Sequence, residues 1–74
     1  MALFLKKKKE LEDFLNRVAN NAANNYKDAA QEDFQLFVGK LEELKAAKML
    51  TEKQIRYYED MKLKYEQELK GFHH

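Results

Sequence analysis

The sequence contains no cysteine, no proline, no tryptophan and no serine, and it has only two glycines. Without cysteine the chain can form neither a disulfide scaffold nor a thiolate zinc site, and this absence fits a reducing compartment. Without proline, and with so little glycine, it lacks the residues that interrupt helices. Strand signals are missing too, because no run alternates apolar and polar residues and no Asn-Gly or Asp-Gly turn occurs.

Lysine, glutamate, leucine and alanine are abundant instead, which is typical of an all-helical protein. We therefore predict an all-α fold. With 74 residues the chain makes one domain at most, so we expect residues 1–74 to form a single helical domain. A domain this small buries only about 60–65% of its unfolded surface, so contact with a second copy or a partner would add stability.

The charges are balanced, with 14 basic and 13 acidic residues and a net charge of +1. This balance argues against a surface built entirely for nucleic acid. Residues 1–5 are apolar but too few to span a membrane, and a secretory signal would carry its lysines before the apolar run rather than after it. We expect a cytoplasmic protein. The terminal His73 and His74 fit native sequence and the remnant of a purification tag equally well.

Apolar residues in the first fifty positions form two helical stripes. At about 100° per residue, the stripes would lie about 100° apart on one straight helix, so a break between them is needed to turn both toward one core. The pattern therefore predicts two helices that pack through these stripes. The first stripe contains Leu11, Phe14, Leu15, Val18 and Ala22, and the second contains Ala30, Phe34, Phe37, Leu41 and Leu44.

The asparagine-rich segment 20–25 is the natural place for the break. Asparagine tolerates the left-handed backbone conformation that ends helices, and it is also a favoured N-cap. A break here predicts a small three-helix up-down-up bundle, with helices at about residues 3–23, 26–49 and 51–70. Because the segment also holds two alanines, which favour helix, the alternative is a long bent helix plus a C-terminal helix, forming a hairpin that dimerises.

The third helix has a complete start signal at Thr51. The Thr51 hydroxyl can accept a hydrogen bond from the Gln54 N–H, and the Gln54 side chain can reach back to the Thr51 N–H, which makes a capping box. Leu50 and Ile55 are spaced for a hydrophobic staple around this cap. Gly71 is suited to end the helix. The predicted inner face contains Ile55, Tyr58, Met61, Tyr65, Leu69 and Phe72.

Few residues could carry catalysis or bind a metal. The only histidines are the terminal pair, and the capping role accounts for Thr51, the single threonine. The carboxylates alternate with lysines at helical spacing, as on a solvated helix face, and the Glu-x-x-His pair of di-metal bundles does not occur. We predict that the protein is not an enzyme and has no catalytic residue, metal site, cofactor or small-molecule substrate.

The run Lys6–Lys9 is the sharpest charge feature of the sequence. One interpretation is that Lys6, Lys7, Lys8 and Lys9 contact phosphate, on nucleic acid or on lipid headgroups next to residues 2–5. The other is an exposed helix whose lysines pair with acids four residues on. Lysines in a first turn oppose the helix macrodipole, which favours a functional role. The pairs of the second interpretation are Lys6–Glu10, Lys8–Glu12 and Lys9–Asp13.

Three apolar side chains lie off the predicted core faces. Leu36 and Leu63 point away from the stripes of their helices, and Tyr57 flanks the stripe of the third helix. In so small a protein we interpret them as a candidate contact surface. The predicted partner is a second copy of the chain, in a homo-oligomer, or another protein.

Residues 41–69 resemble the short C-terminal helical-hairpin module called SHOCT. The resemblance rests on Leu41 and Leu44, the segment Met49–Ile55 and a basic helix that includes Lys62. It covers under half of the chain, with Lys48 where that family has glycine and Ile55 where it has an aromatic residue. The resemblance implies an interaction or oligomerisation module and transfers no catalytic residue.

We therefore predict a non-enzymatic helical module for protein–protein interaction or oligomerisation, of the kind that bacteria and their phages encode in short reading frames. The alternative is a nucleic-acid or membrane-surface accessory protein that uses the Lys6–Lys9 cluster.

Overall fold

The computed structural model describes residues 6–70, which form three α-helices and, within that range, no strand. The helices are α1 (Lys9–Ala23), α2 (Lys27–Ala46) and α3 (Glu52–Lys70). α1 packs against α2, and α2 packs against α3. The predicted all-α, three-helix up-down-up bundle is confirmed.

All three helices contribute to one apolar core. The predicted stripe of α2 is buried along its whole length, whereas Phe14 and Ala22 of the α1 stripe are half-buried against the core. Ile55 is half-buried, and Phe72 lies outside the described residues. Tyr58 and Phe37 are the largest fully buried side chains. The buried apolar residues are Leu11, Leu15, Val18, Ala30, Phe34, Phe37, Leu41, Leu44, Tyr58 and Leu69.

The asparagine-rich segment forms a turn and not a bend in a continuous helix. Asn25 takes the left-handed conformation, with φ 62°. The Asn25 N–H donates to the Ala22 carbonyl at 3.1 Å and the Tyr26 N–H to the Asn21 carbonyl at 2.8 Å. These two hydrogen bonds form a Schellman motif, which satisfies the last carbonyls of α1. Asparagine is suited to this position because it tolerates positive φ.

The second turn has the same construction around a less suitable residue. Lys48 has φ 58°, its N–H donates to the Lys45 carbonyl at 3.0 Å, and the Met49 N–H donates to the Leu44 carbonyl at 3.0 Å. α2 therefore ends at Ala46, three residues before the predicted end at residue 49. The short connection leaves α2 and α3 as antiparallel neighbours.

α1 begins at Lys9, so the prediction of a helix from about residue 3 is wrong for residues 6–8. Two causes act together. Lysines in a first turn oppose the helix macrodipole, and side chains of α3 supply hydrogen-bond partners to the backbone of Lys6 and Lys8. Residues 1–5 and 71–74, including Gly71, His73 and His74, lie outside the described residues.

Asp33 is a buried acid that joins α1 to α2. Its carboxylate accepts hydrogen bonds from Arg17 Nη2 at 2.9 Å and from Asn21 Nδ2 at 2.8 Å. At the contact between α2 and α3, Lys45 Nζ lies 2.6 Å from Glu59 Oε2. The Glu59 carboxylate raises the pKa of Lys45. Polar contacts therefore reinforce both pairs of packed helices.

Gly39 offers a direct test of the helical assignment. It lies in the middle of α2, and a Cβ added there would meet no atom within 4 Å. Glycine inside a helix costs more backbone entropy than alanine, so we expect Gly39→Ala to raise the free energy of unfolding by about 0.5–1 kcal/mol. Urea denaturation followed by circular dichroism measures this change. A variant less stable than the natural chain would contradict a helical, open environment at Gly39.

The left-handed residues of the two turns predict a paired result. Because lysine is strained at positive φ and glycine is not, we expect Lys48→Gly to stabilise the protein by about 0.5–1 kcal/mol. Asn25→Gly is the matched control, and it should change stability less because asparagine already tolerates this conformation. Thermal denaturation compares the two variants. A loss of stability in Lys48→Gly would show that residue 48 does not adopt positive φ.

Candidate functional site

The backbone of the first described residues is tied to α3. We call Lys6–Lys8 the lysine strap. The Lys6 carbonyl accepts a hydrogen bond from Gln54 Nε2, and the Lys8 N–H donates to the Tyr58 hydroxyl at 3.0 Å. Lys8 is extended, with φ −93° and ψ 119°. The strap is therefore held beside the start of α3 by hydrogen bonds between groups 48 to 50 residues apart in the chain.

Gln54 serves the helix cap and the strap at once. The Thr51 N–H donates to Gln54 Oε1 at 2.8 Å, and the Gln54 N–H donates to Thr51 Oγ1 at 3.1 Å, so both hydrogen bonds of the capping box are present. The Gln54 amide nitrogen is then free to donate to Lys6. Glutamate could complete the box but has no such donor at neutral pH. The choice of glutamine is the one sequence signal for the strap contact.

Tyr58 connects the strap to α1 and to the core. Its side chain is fully buried, and its ring centroid lies 6.3 Å from that of Phe37 in α2. The hydroxyl donates to Glu12 Oε2 at 2.7 Å while it accepts the Lys8 N–H. Burial, followed by the hydrogen bond to Glu12, raises the pKa of Tyr58 well above its ordinary value. The hydroxyl therefore keeps its proton and its donor role at neutral pH.

The side chains of the strap face an open groove. Lys6 and Lys7 are exposed and Lys8 is half-buried. The groove, of about 740 Å³, lies between the strap and residues Thr51–Gln54, and Lys53 adds a fourth lysine to its lining. Glu52 is the single acid of that lining. A concentration of positive charge therefore lies at this end of the bundle.

The four candidate phosphate-contacting lysines lie in different environments. Lys6, Lys7 and Lys8 line the groove, whereas Lys9 lies in α1 and its ammonium is 3.5 Å from the Asp13 carboxylate. The expected pairs of Lys6 and Lys8 with acids four residues on do not form, because the strap is not helical. Lys7 instead places its ammonium 5.6 Å from the centroid of the Tyr57 ring.

The opposite end of the bundle carries an acidic groove. It has a volume of about 440 Å³ and lies between the N-terminal half of α2 and the C-terminal end of α3. Phe34 and Leu69 supply apolar lining. Three acids, Asp28, Glu32 and Glu66, outnumber the one lysine of the lining, Lys70. Because α3 has 19 residues, its two ends are about 28 Å apart. The charge lining the two grooves is therefore of opposite sign at the two ends of α3.

The residues of the candidate contact surface lie in different environments. Leu36 is 47% exposed and Leu63 is 55% exposed, each on the outward side of its own helix by the 100° helical step. Tyr57 is half-buried against the core, with its ring centroid 4.9 Å from that of Tyr58. Two further exposed apolar residues, Tyr26 and Met49, directly follow the left-handed turn residues. Helical periodicity does not detect residues in turns.

Within residues 6–70, no three histidine, cysteine or acidic side chains are grouped so that they could hold a metal ion. No helix in the same range has the length and apolar character needed to cross a membrane. Comparison of the chain with family models, with curated proteins and with solved structures found no significant match.

Replacing Tyr58 tests the buried hydrogen bonds. Tyr58→Phe keeps the ring but removes the acceptor of the Lys8 N–H and the donor to Glu12, so we expect a loss of about 1–3 kcal/mol in the free energy of unfolding. Tyr57→Phe is the matched control, because the Tyr57 contacts are made by its ring. It should stay within about 0.5 kcal/mol of the natural chain. Equal stabilities for the two variants would contradict the account of Tyr58.

Proposed function

We propose that the chain is a non-enzymatic helical module for protein–protein interaction or oligomerisation. One observation carries this proposal: large apolar side chains, Leu36 and Leu63, stand about half-exposed on outward helix faces of a very small bundle. Exposed leucines of this kind lose unfavourable contact with water when a partner covers them. Leu36 lies in α2 and Leu63 lies in α3.

The hairpin of α2 and α3 adds support. Lys48 adopts a left-handed conformation at the position where the SHOCT module has glycine, and Thr51 and Gln54 form the cap that follows it. A module of that type would bind a second copy of this chain or another protein. The absence of cysteine fits a cytoplasmic location for it.

Light scattering coupled to size-exclusion chromatography tests self-association. We expect the mass to rise above the 8.9 kDa of the monomer as the concentration reaches the high micromolar range. Leu36→Lys or Leu63→Lys should weaken association at least about tenfold, because a lysine in an interface centre replaces apolar burial with a charge that must be desolvated.

Gln67→Lys is the matched control for Leu63→Lys. Gln67 is exposed one helical turn further along α3, so the variant adds the same charge close by without removing an apolar contact. Association that weakens equally in Gln67→Lys would reflect charge alone. A mass that stays at the monomer value at every concentration would contradict self-association.

A second candidate function is a nucleic-acid or membrane-surface accessory protein that uses Lys6, Lys7, Lys8 and Lys9. The strap favours it, because hydrogen bonds to α3 hold its backbone and leave the ammonium groups of Lys6 and Lys7 exposed. Binding to DNA, RNA or anionic vesicles should weaken as salt rises and should weaken again when the four lysines become glutamine. Binding that is unaffected by those substitutions would contradict this proposed function.

A further inference from the structure

The lysine strap carries positive charge that the rest of the bundle does not neutralise. Among the described residues, no carboxylate lies within ion-pair distance of Lys6, Lys7 or Lys8. Lys9, by contrast, has Asp13 beside it. The strap lysines also do not pair with acids four residues further on, as they would in a helix, because hydrogen bonds with Gln54 and Tyr58 hold their backbone outside α1. Their charge is therefore available to an external anion.

The two ends of the bundle differ in the sign of the charge that lines their grooves. Lys53 adds to the strap charge at the start of α3. At the other end the groove is lined by three acids, Asp28, Glu32 and Glu66, and by one lysine, Lys70. The net charge of the whole chain is only +1, so the excess of lysine at the strap groove is offset by acids elsewhere in the chain. A negatively charged surface would attract this end and repel the other, and would therefore orient the bundle with α3 pointing away from it.

The chemistry around the strap favours a lipid surface over a nucleic acid. Residues 1–5, which precede the strap in the sequence and lie outside the described residues, are all apolar. An anionic bilayer can bury apolar side chains and also attract lysines. A phosphodiester backbone attracts the lysines but offers no apolar interior for the other residues. The groove lining contains no arginine and no aromatic ring for base stacking. The Tyr57 ring nearby is half-buried and faces the Lys7 ammonium.

We infer that the strap end of the bundle docks on an anionic bilayer surface, with Lys6, Lys7, Lys8 and Lys53 contacting the headgroups and the acidic end of α3 directed away. This inference rests on the second function proposed above. Apolar burial and attraction to anionic lipids both strengthen binding to a membrane surface, and a short apolar segment and a basic cluster are adjacent in this chain. The hydrogen bonds of Gln54 and Tyr58 keep the basic cluster on one side of the molecule.

Vesicle flotation of the full chain tests the inference. We expect binding to vesicles of phosphatidylcholine mixed with phosphatidylserine, no binding to phosphatidylcholine alone, and release by salt. Changing Lys6, Lys7 and Lys8 together to glutamine should weaken binding at least about tenfold. The matched control changes Lys62, Lys64 and Lys70 to glutamine, which removes the same charge from the other half of α3. It should stay within about threefold of the natural chain.

A second pair of measurements separates lipid from nucleic acid. Leu3→Ser combined with Phe4→Ser should weaken vesicle binding at least about tenfold and leave any binding to duplex DNA or single-stranded RNA unchanged. Lysine-dependent binding to DNA or RNA without vesicle binding would overturn the inference and leave the second function standing. Vesicle and nucleic-acid binding that both survive loss of the strap lysines would overturn both.

Discussion

The hydroxyl group of Tyr58 is the contact on which the arrangement of this small bundle depends. It donates to Glu12 of α1, accepts the N–H of Lys8 in the strap, and belongs to a ring packed beside Phe37 of α2. Through the Tyr58 side chain, α3 therefore contacts α1, α2 and the strap. Because the hydroxyl is buried, its two hydrogen bonds act in a low-dielectric environment where an unpaired group would be costly.

Polar side chains with two partners recur through the molecule. Gln54 caps α3 and holds Lys6, and Asp33 binds both Arg17 and Asn21 across the α1–α2 contact. No buried side-chain nitrogen or oxygen among the described residues lacks a hydrogen-bond partner. In so small a core, satisfied polar contacts of this kind select one arrangement of helices that apolar packing alone would specify less well. They also determine where the strap lysines are presented.

Helical periodicity predicted the parts of the fold that depend on local spacing. The stripe from Ala30 to Leu44 and the cap at Thr51 follow from residues three or four positions apart. The strap and the role of Tyr58 depend on pairs 46 to 50 residues apart, which leave no periodic signal. The burial of Asp33 beside Arg17 likewise depends on how α1 packs against α2, so helical spacing does not predict it.

Hydrogen exchange of the Lys8 amide tests the central claim most directly. Lys8 lies before the first residue of α1, so its amide has protection only if the Tyr58 hydroxyl accepts its hydrogen bond. We expect this amide to exchange far more slowly than the Lys7 amide, and we expect Tyr58→Phe to abolish the difference. Exchange of the Lys8 amide at the rate of an unstructured peptide in the natural chain would contradict the account.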